Sequence, residues 1–333
     1  MQVNSVFSFQ SLDELSREPD WADASGEAFL CLDLRGGALP EADAARLGAW
    51  LTDQTVPVVG LVDENRVLHE ALDLALTSEA ELETVSTAIR QNPAAASVLT
   101  RVTRACMELP IPLALAVESL GYATLQGGDE FATWLTGYRE SRERSRGTAS
   151  SEGSPLRLLR EGSRLHITLD NPSNRNALSV TMRDALREAF QLVAMDNTIQ
   201  QVVVAGSGPC FCAGGDLTEF GSCTDTTEAH RIRQARMPAQ VLAPHSGRYT
   251  FRLHGACIGA GIELPAFAGH IAATRDAFFR LPEVAMGLIP GAGGCVSIPR
   301  RIGRHRANWL AISGAELRAE DALAWGLIDE ITN

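Results

Sequence analysis

Short apolar runs and longer stretches of helical spacing alternate along the chain, and the alternation changes character near its middle. Ala28 to Leu34 (AFLCLDL) is a continuous apolar run of strand length. Pro40 to Leu51 follows as a helix with Leu47, Trp50 and Leu51 on one face. Val56 to Val62 (VPVVGLV) predicts a second buried strand. From Leu68 to about Trp134 the spacing predicts helices: Leu72, Leu74, Leu76, Leu82, Val85 and Ile89 recur along it, and Pro93, Pro110 and Pro112 punctuate it. The first 25 residues are polar and irregular. Arg139 to Ser154 (RESRERSRGTASSEGS) has no apolar side chain larger than alanine and reads as a helix tail running into a flexible linker. That places domains at 1–140 and 156–333, with a linker over 141–155.

The second half begins with a hairpin signal, Leu156 to Leu159 and Leu165 to Leu169 flanking Glu161-Gly162-Ser163. A turn-rich loop covers Asp170 to Asn176, and Ser179 is positioned to cap a helix reaching about Met195. Val202 to Ala205 predicts a strand, Gly206 to Gly215 a loop, and a helix is expected near Asp216. Gly221 to Gly247 reads as a mobile segment before the strand Tyr249 to Leu253. Strand, loop and helix in rotation, with small residues at the strand-to-helix junctions, argue an α/β layered fold. Ligands usually bind at such junctions.

Composition narrows the function. The chain has 333 residues, 45% hydrophobic and 21% charged, an ordinary globular balance. A net charge of −12 argues against nucleic acid held by bulk electrostatics. It does not exclude a phosphorylated small molecule held by a few arginines or a helix start. No run of eighteen apolar residues predicts a membrane span, and the first twenty residues lack the basic start and apolar core of a secretory signal. Seven scattered cysteines fit cytosolic thiols better than a disulfide framework, so a cytoplasmic location is expected. Cys210-Phe211-Cys212 lacks the partner ligands of a zinc site, and the seven histidines show no metal spacing. No metal is expected.

The chemistry gathers in Gly255 to Gly294, which holds Glu263 and Glu283. Glu263 follows Gly259-Ala260-Gly261, where small residues let a ligand approach the main chain. Glu283 follows Pro282 and leads to Pro290-Gly291-Ala292-Gly293-Gly294. Two such carboxyls can divide acid and base duties if their surroundings separate their pKa values. A second small-residue loop, Phe211 to Leu217, contains Ala213-Gly214-Gly215-Asp216. Amides from two such loops, converging on one carbonyl oxygen, would stabilise an enolate by roughly 3–4 kcal/mol per donor.

These pieces resemble the crotonase (enoyl-CoA hydratase/isomerase) superfamily. LDNPSNRNALS, VVVAGSGPCFCAGGDL, HGACIGAGIEL, FFRLPEVAMGLIPGAGG and RIGRHRANWLAISGAELRAEDALAWGLIDEI stand in order and cover nearly all of the second half. The resemblance implies a ββα spiral core, an acyl-CoA substrate whose coenzyme A is not a separately bound cofactor, and trimeric assembly. It implies that the amides of Ala213 and Ala260 form the oxyanion hole. Glu263 would hold and activate water, and Glu283 would move the α-proton. Ala213, Gly214, Gly215 and Asp216 would meet the coenzyme A moiety, with Arg175 a candidate for its phosphates. The basic run Arg300, Arg301, Arg304 and Arg306 reads as a solvated or subunit-facing helix. Two acids together favour adding or removing water across a 2,3-double bond. The alternatives are a CoA-ester isomerase or hydrolase of the same superfamily, or a non-catalytic acyl-CoA or partner-binding homologue.

The family's usual chain continues for several helices beyond the GLIDEI match. In the first half, 28–34, a helix, 56–62 and 71–76 echo VVVAG, helix, strand and IELPAF of the second, without the loop glycines, and 92–142 resembles the family's C-terminal helices. The first half is therefore expected to be a degenerate copy, mixed α/β but largely helical. It would dock near Asp216 or the 299–325 region.

Overall fold

In the computed structural model, which describes residues 6–19, 21–64, 67–143 and 154–332, the run at 28–34 supplies the strand Leu30–Asp33. It lies second in a four-stranded parallel sheet ordered Val6–Ser8, Leu30–Asp33, Val58–Leu61, Leu74–Leu76. Both faces of this sheet are covered, which is why its strands read as unbroken apolar runs. Leu30, Leu32, Val58 and Leu72 pack on Leu12, Trp21, Leu47 and Leu51. Cys31, Val59, Leu61, Leu74 and Leu76 face the main core. The helical reading of 68–76 is corrected here. Leu72, Leu74 and Leu76 alternate at the period of a strand, and only a single 3₁₀ turn, His69–Ala71, precedes Leu74–Leu76.

Four helices then run in succession: Glu79–Gln91, Pro93–Glu108, Ile111–Gln126 and Asp129–Glu143. Ser78 and Glu81 form a reciprocal capping box at the first. Pro93 opens the second, where its missing N–H costs nothing. Residues 144–153 of the linker assigned to 141–155 lie outside the described residues.

The hairpin expected at 156–169 is present, with Leu156 opposite Leu169 in antiparallel register. It edges a six-stranded sheet ordered Glu330–Thr332, His270–Thr274, Tyr249–Leu253, Gln201–Gly206, Arg164–Leu169, Leu156–Glu161. Its other pairings are parallel. A small sheet of Leu317–Arg318, Phe278–Arg280 and Ala256–Ile258 lies beside it. Ser179 caps the helix Val180–Met195, its side chain accepting from the Met182 amide. The segment 221–247, read from sequence as mobile, contains the helix Thr226–Arg236, capped by Asp225, and a short helix Ala239–Leu242. Few of its residues are apolar, so periodicity did not reveal it. No helix follows Asp216, where the chain makes turns instead.

The two halves share one core. Val85, Leu99 and Leu115 of the first cluster with Ile289, Val296 and Leu310 of the second. Asp73, 0% exposed, pairs with Arg104 of its own half and with Arg304 of the other. Asn308 bonds both Thr103 and the Asp73 carbonyl. The basic run is partly exposed, at Arg300 and Arg306, yet its members are engaged within the chain. Arg300 donates to the Cys106 and Leu109 carbonyls, Arg301 to those of Ala266 and Ala268, and Arg306 lies over the Trp325 ring. The first half therefore packs on the 299–325 region, one of the two places where docking was expected. Cys210 and Cys212 are buried free thiols. Among the described residues no helix is long and apolar enough to cross a membrane.

Candidate active site

Glu263 ends the single helical turn Ala260–Glu263, whose N-cap Gly259 adopts φ 50°. That left-handed conformation favours glycine. A side chain there would also intrude: a Cβ on Gly259 would sit 2.5 Å from Glu283 Oε1 and 3.7 Å from Glu263 Oε1. The two acids chosen from sequence therefore point at one spot. Glu263 is 2% exposed, and its Oε2 accepts from the Ala292 amide at 2.7 Å and the Gly294 amide at 2.9 Å. Those amides are the unpaired start of the helix Gly294–Ile302. Oε1 is left for the cleft. Glu283 is held by its main chain, its carbonyl accepting from the Met286 and Leu288 amides, while its buried Oε2 has no hydrogen-bond partner among the described residues.

A third carboxyl stands behind them. Glu118, on Ile111–Gln126 of the first half, accepts from the Gly293 amide at 2.7 Å and the Cys295 amide at 2.9 Å. Sequence reasoning missed it, although a signal existed: Glu118 is the lone charge in the helix IPLALAVESLGYATLQ.

Burial and the like charges separate the three pKa values. Burial raises Glu263 to about 7, against the lowering pull of the Ala292 and Gly294 amides. Burial first, then the Glu263 charge, pushes Glu283 and Glu118 well above the carboxylate range. Burial and like charge thus favour the neutral form of Glu283, while the Ala292 and Gly294 amides favour the charged form of Glu263.

A cleft of about 270 Å³ joins these groups. Gly215, Asp216, Ala260, Glu263 and Glu283 line it from the second half, Tyr122, Gln126 and Phe131 from the first. A larger opening of about 1240 Å³ lies on the seam between the halves beside His69 and His305; it is lined by Arg304 and Arg306 of the basic run but by neither of the two acids. The oxyanion assignment to Ala213 is corrected. Its amide donates to the Arg175 carbonyl at 3.0 Å and is unavailable to a ligand. Two residues on, Gly215 lines the cleft, and among the described residues its amide meets no main-chain acceptor, nor does that of Ala260. Gly214, at φ 93°, turns the chain so that its carbonyl accepts from Leu178. Asp216 is anchored by the Asn174 amide group and the Thr218 N–H. Arg175 is exposed on its loop and does not line the cleft.

The enoyl-CoA hydratase/isomerase family profile matches residues 160–333. Two curated relatives, from Bacillus subtilis (strain 168) and Mycosarcoma maydis, are each 32% identical over 167 and 175 residues, half of this chain. The second is described as an enoyl-CoA isomerase/hydratase. The chain spans 64% of the length of each. Among solved structures, an enoyl-CoA hydratase from Thermoplasma volcanium GSS1 is similar with 31% identity and a TM-score of 0.50, over 54% of this chain and 72% of that one. An enoyl-CoA hydratase/isomerase from Marinobacter aquaeolei gives 28% and 0.50, over 54% and 70%.

Proposed function

The chain belongs to the enoyl-CoA hydratase/isomerase family, and from that premise we propose that it adds water across the 2,3-double bond of an acyl-CoA thioester, or removes it. One observation carries the reading: Glu263 and Glu283 converge beside Gly259, in a cleft that also exposes Gly215 and Ala260.

The proposed step gives Glu263 the charged form and Glu283 the neutral one. Ionised Glu263 takes a proton from water through Oε1 as the water oxygen bonds to C3. The C2=C3 electron pair moves toward the thioester, whose oxygen becomes an enolate. The Gly215 and Ala260 amides receive that charge, each contributing roughly 3–4 kcal/mol. Protonated Glu283 then delivers its proton to C2. Water and enoyl thioester are consumed and a 3-hydroxyacyl thioester is formed. The proton left on Glu263 returns to Glu283 through solvent, which restores the pair. Coenzyme A enters as part of the substrate, and the step needs no other cofactor.

The first half belongs to this site under the same reading. As a degenerate copy that kept the family's closing helices, it supplies the wall of Tyr122, Gln126 and Phe131.

Loss of enoyl absorbance on a short-chain enoyl-CoA tests the proposal with Glu263→Gln and Glu283→Gln. Hydration requires both variants to lose turnover by about 10²-fold or more, the usual contribution of a general acid or base. Loss at Glu283 alone identifies an isomerase. Saturable binding of CoA esters with no turnover on any of them identifies a binding protein.

A further inference from the structure

A cation in the cleft lacks an anion. Arg233 reaches it from the helix Thr226–Arg236. Its guanidinium lies over the Tyr122 ring, Cζ 4.2 Å from the centroid. It donates to Gln126 Oε1 at 3.3 and 3.2 Å and to Ser119 Oγ at 3.4 Å, long contacts to neutral acceptors. Among the described residues no carboxylate lies within the 4.0 Å of an ion pair with it. Other arginines withdrawn from water are satisfied: Arg104 and Arg304 share Asp73. Glu118 is within electrostatic reach of Arg233, but the Gly293 and Cys295 amides occupy both its oxygens. Desolvation pulls the Arg233 pKa below its ordinary value, as expected for a charge without a counter-ion.

Arg233 lines the same cleft as Glu263 and Glu283. The Tyr122 ring beneath it presses on Gly291, where a Cβ would strike the ring. The next residue, Ala292, donates to Glu263. One aromatic ring therefore separates Arg233 from the acids between which C2 and C3 must lie. A CoA phosphate is removed from those carbons by the whole pantetheine arm and cannot reach this position.

Resting on the thioester reading above, we propose that Arg233 binds a carboxylate at the far end of the acyl group, and that the substrate is the monothioester of a short unsaturated dicarboxylic acid. Guanidinium donors in a partly desolvated cleft suit a carboxylate, and a buried cation penalises an alkyl chain laid against it.

Calorimetric binding to the full chain tests this without requiring turnover. The probes are glutaryl-CoA, pentanoyl-CoA and free coenzyme A. A charge-assisted contact predicts that wild-type protein binds glutaryl-CoA about tenfold or more tighter than pentanoyl-CoA. Arg233→Gln brings that ratio close to one, and Arg233→Lys keeps part of it. The proposal is overturned by a wild-type ratio near one. It is equally overturned if Arg233→Gln weakens free coenzyme A as much as glutaryl-CoA, since the contact would then be to phosphate. Should Arg233→Gln fail to fold, the wild-type ratio and Arg233→Lys decide. A protein that keeps the ratio but hydrates no enoyl-CoA refutes the hydratase reading and leaves this one standing. Hydration of uncharged enoyl-CoA with a ratio near one does the reverse.

Discussion

Glu118 and Glu263 take alternate amides of one tetrapeptide. Glu263 accepts from Ala292 and Gly294, Glu118 from Gly293 and Cys295. The first half of the chain thus holds the helix start that positions an acid of the second. Four consecutive N–H groups with no intrahelical partner are satisfied in pairs from opposite sides, which fixes the loop between Pro290 and Gly294 on both flanks.

Glu118→Gln should therefore act through Glu263. The amide group of glutamine presents one acceptor and one donor to two N–H groups, so either the Gly293 or the Cys295 amide is left unsatisfied. That costs about 1–3 kcal/mol. A lowered melting temperature is expected, together with a shifted acid limb in the pH profile of kcat/KM. A pH profile identical to wild type would mean that Glu118 supports the fold alone.

The proposed hydration needs Glu263 ionised, and burial raises its folded pKa to about 7. The sign follows: a raised carboxyl is protonated at mildly acidic pH, so activity is absent there and appears as pH climbs through about 7. Rates of enoyl-CoA hydration from pH 5 to 9 should show that limb. A limb in the ordinary carboxylate range would contradict the burial of this group.

Gly259→Ala combines two penalties at one position. Its φ of 50° strains any L side chain, and the new Cβ meets Glu283 Oε1 at 2.5 Å. The acid must swing away from Glu263, and a displacement of that size in a proton donor costs about 10²-fold in turnover. Circular dichroism close to wild type, with kcat reduced by that amount, is the expected result.

The acids were legible because proline and glycine mark the turns that carry them. The loop amide that opens onto the cleft was not. In Ala213-Gly214-Gly215 the free N–H depends on which residue takes the left-handed turn, and Gly214 takes it. The Ala213 amide is consequently turned back onto Arg175. Leu72, Leu74 and Leu76 carried a strand period inside a stretch whose later residues carry a helical one, and the longer pattern obscured the shorter. Arg233 escaped notice because its helix is polar almost throughout. Its meaning lies in the missing carboxylate, and a missing partner is visible only in three dimensions.

Asp73 tests how tightly the halves are joined. Its carboxylate is wholly buried and accepts from Arg104 Nε at 2.7 Å, Arg304 Nη1 at 2.9 Å and the Val58 amide at 2.8 Å. Asp73→Ala removes the anion and leaves two cations facing each other out of water. Breaking a buried pair in this way costs about 3–5 kcal/mol, because the remaining charges are uncompensated. Asp73→Asn keeps the volume and one acceptor oxygen, so it should lie between alanine and wild type in chemical denaturation. Since Arg304 belongs to the second half and Arg104 to the first, the loss should weaken the seam and lower the midpoints of both halves together. Tryptophan fluorescence can follow the two sides, with Trp21, Trp50 and Trp134 in the first half and Trp309 and Trp325 in the second. A first half that unfolds early while the signal of the second is unchanged would show that the halves are stable independently, and that the seam contributes little to either.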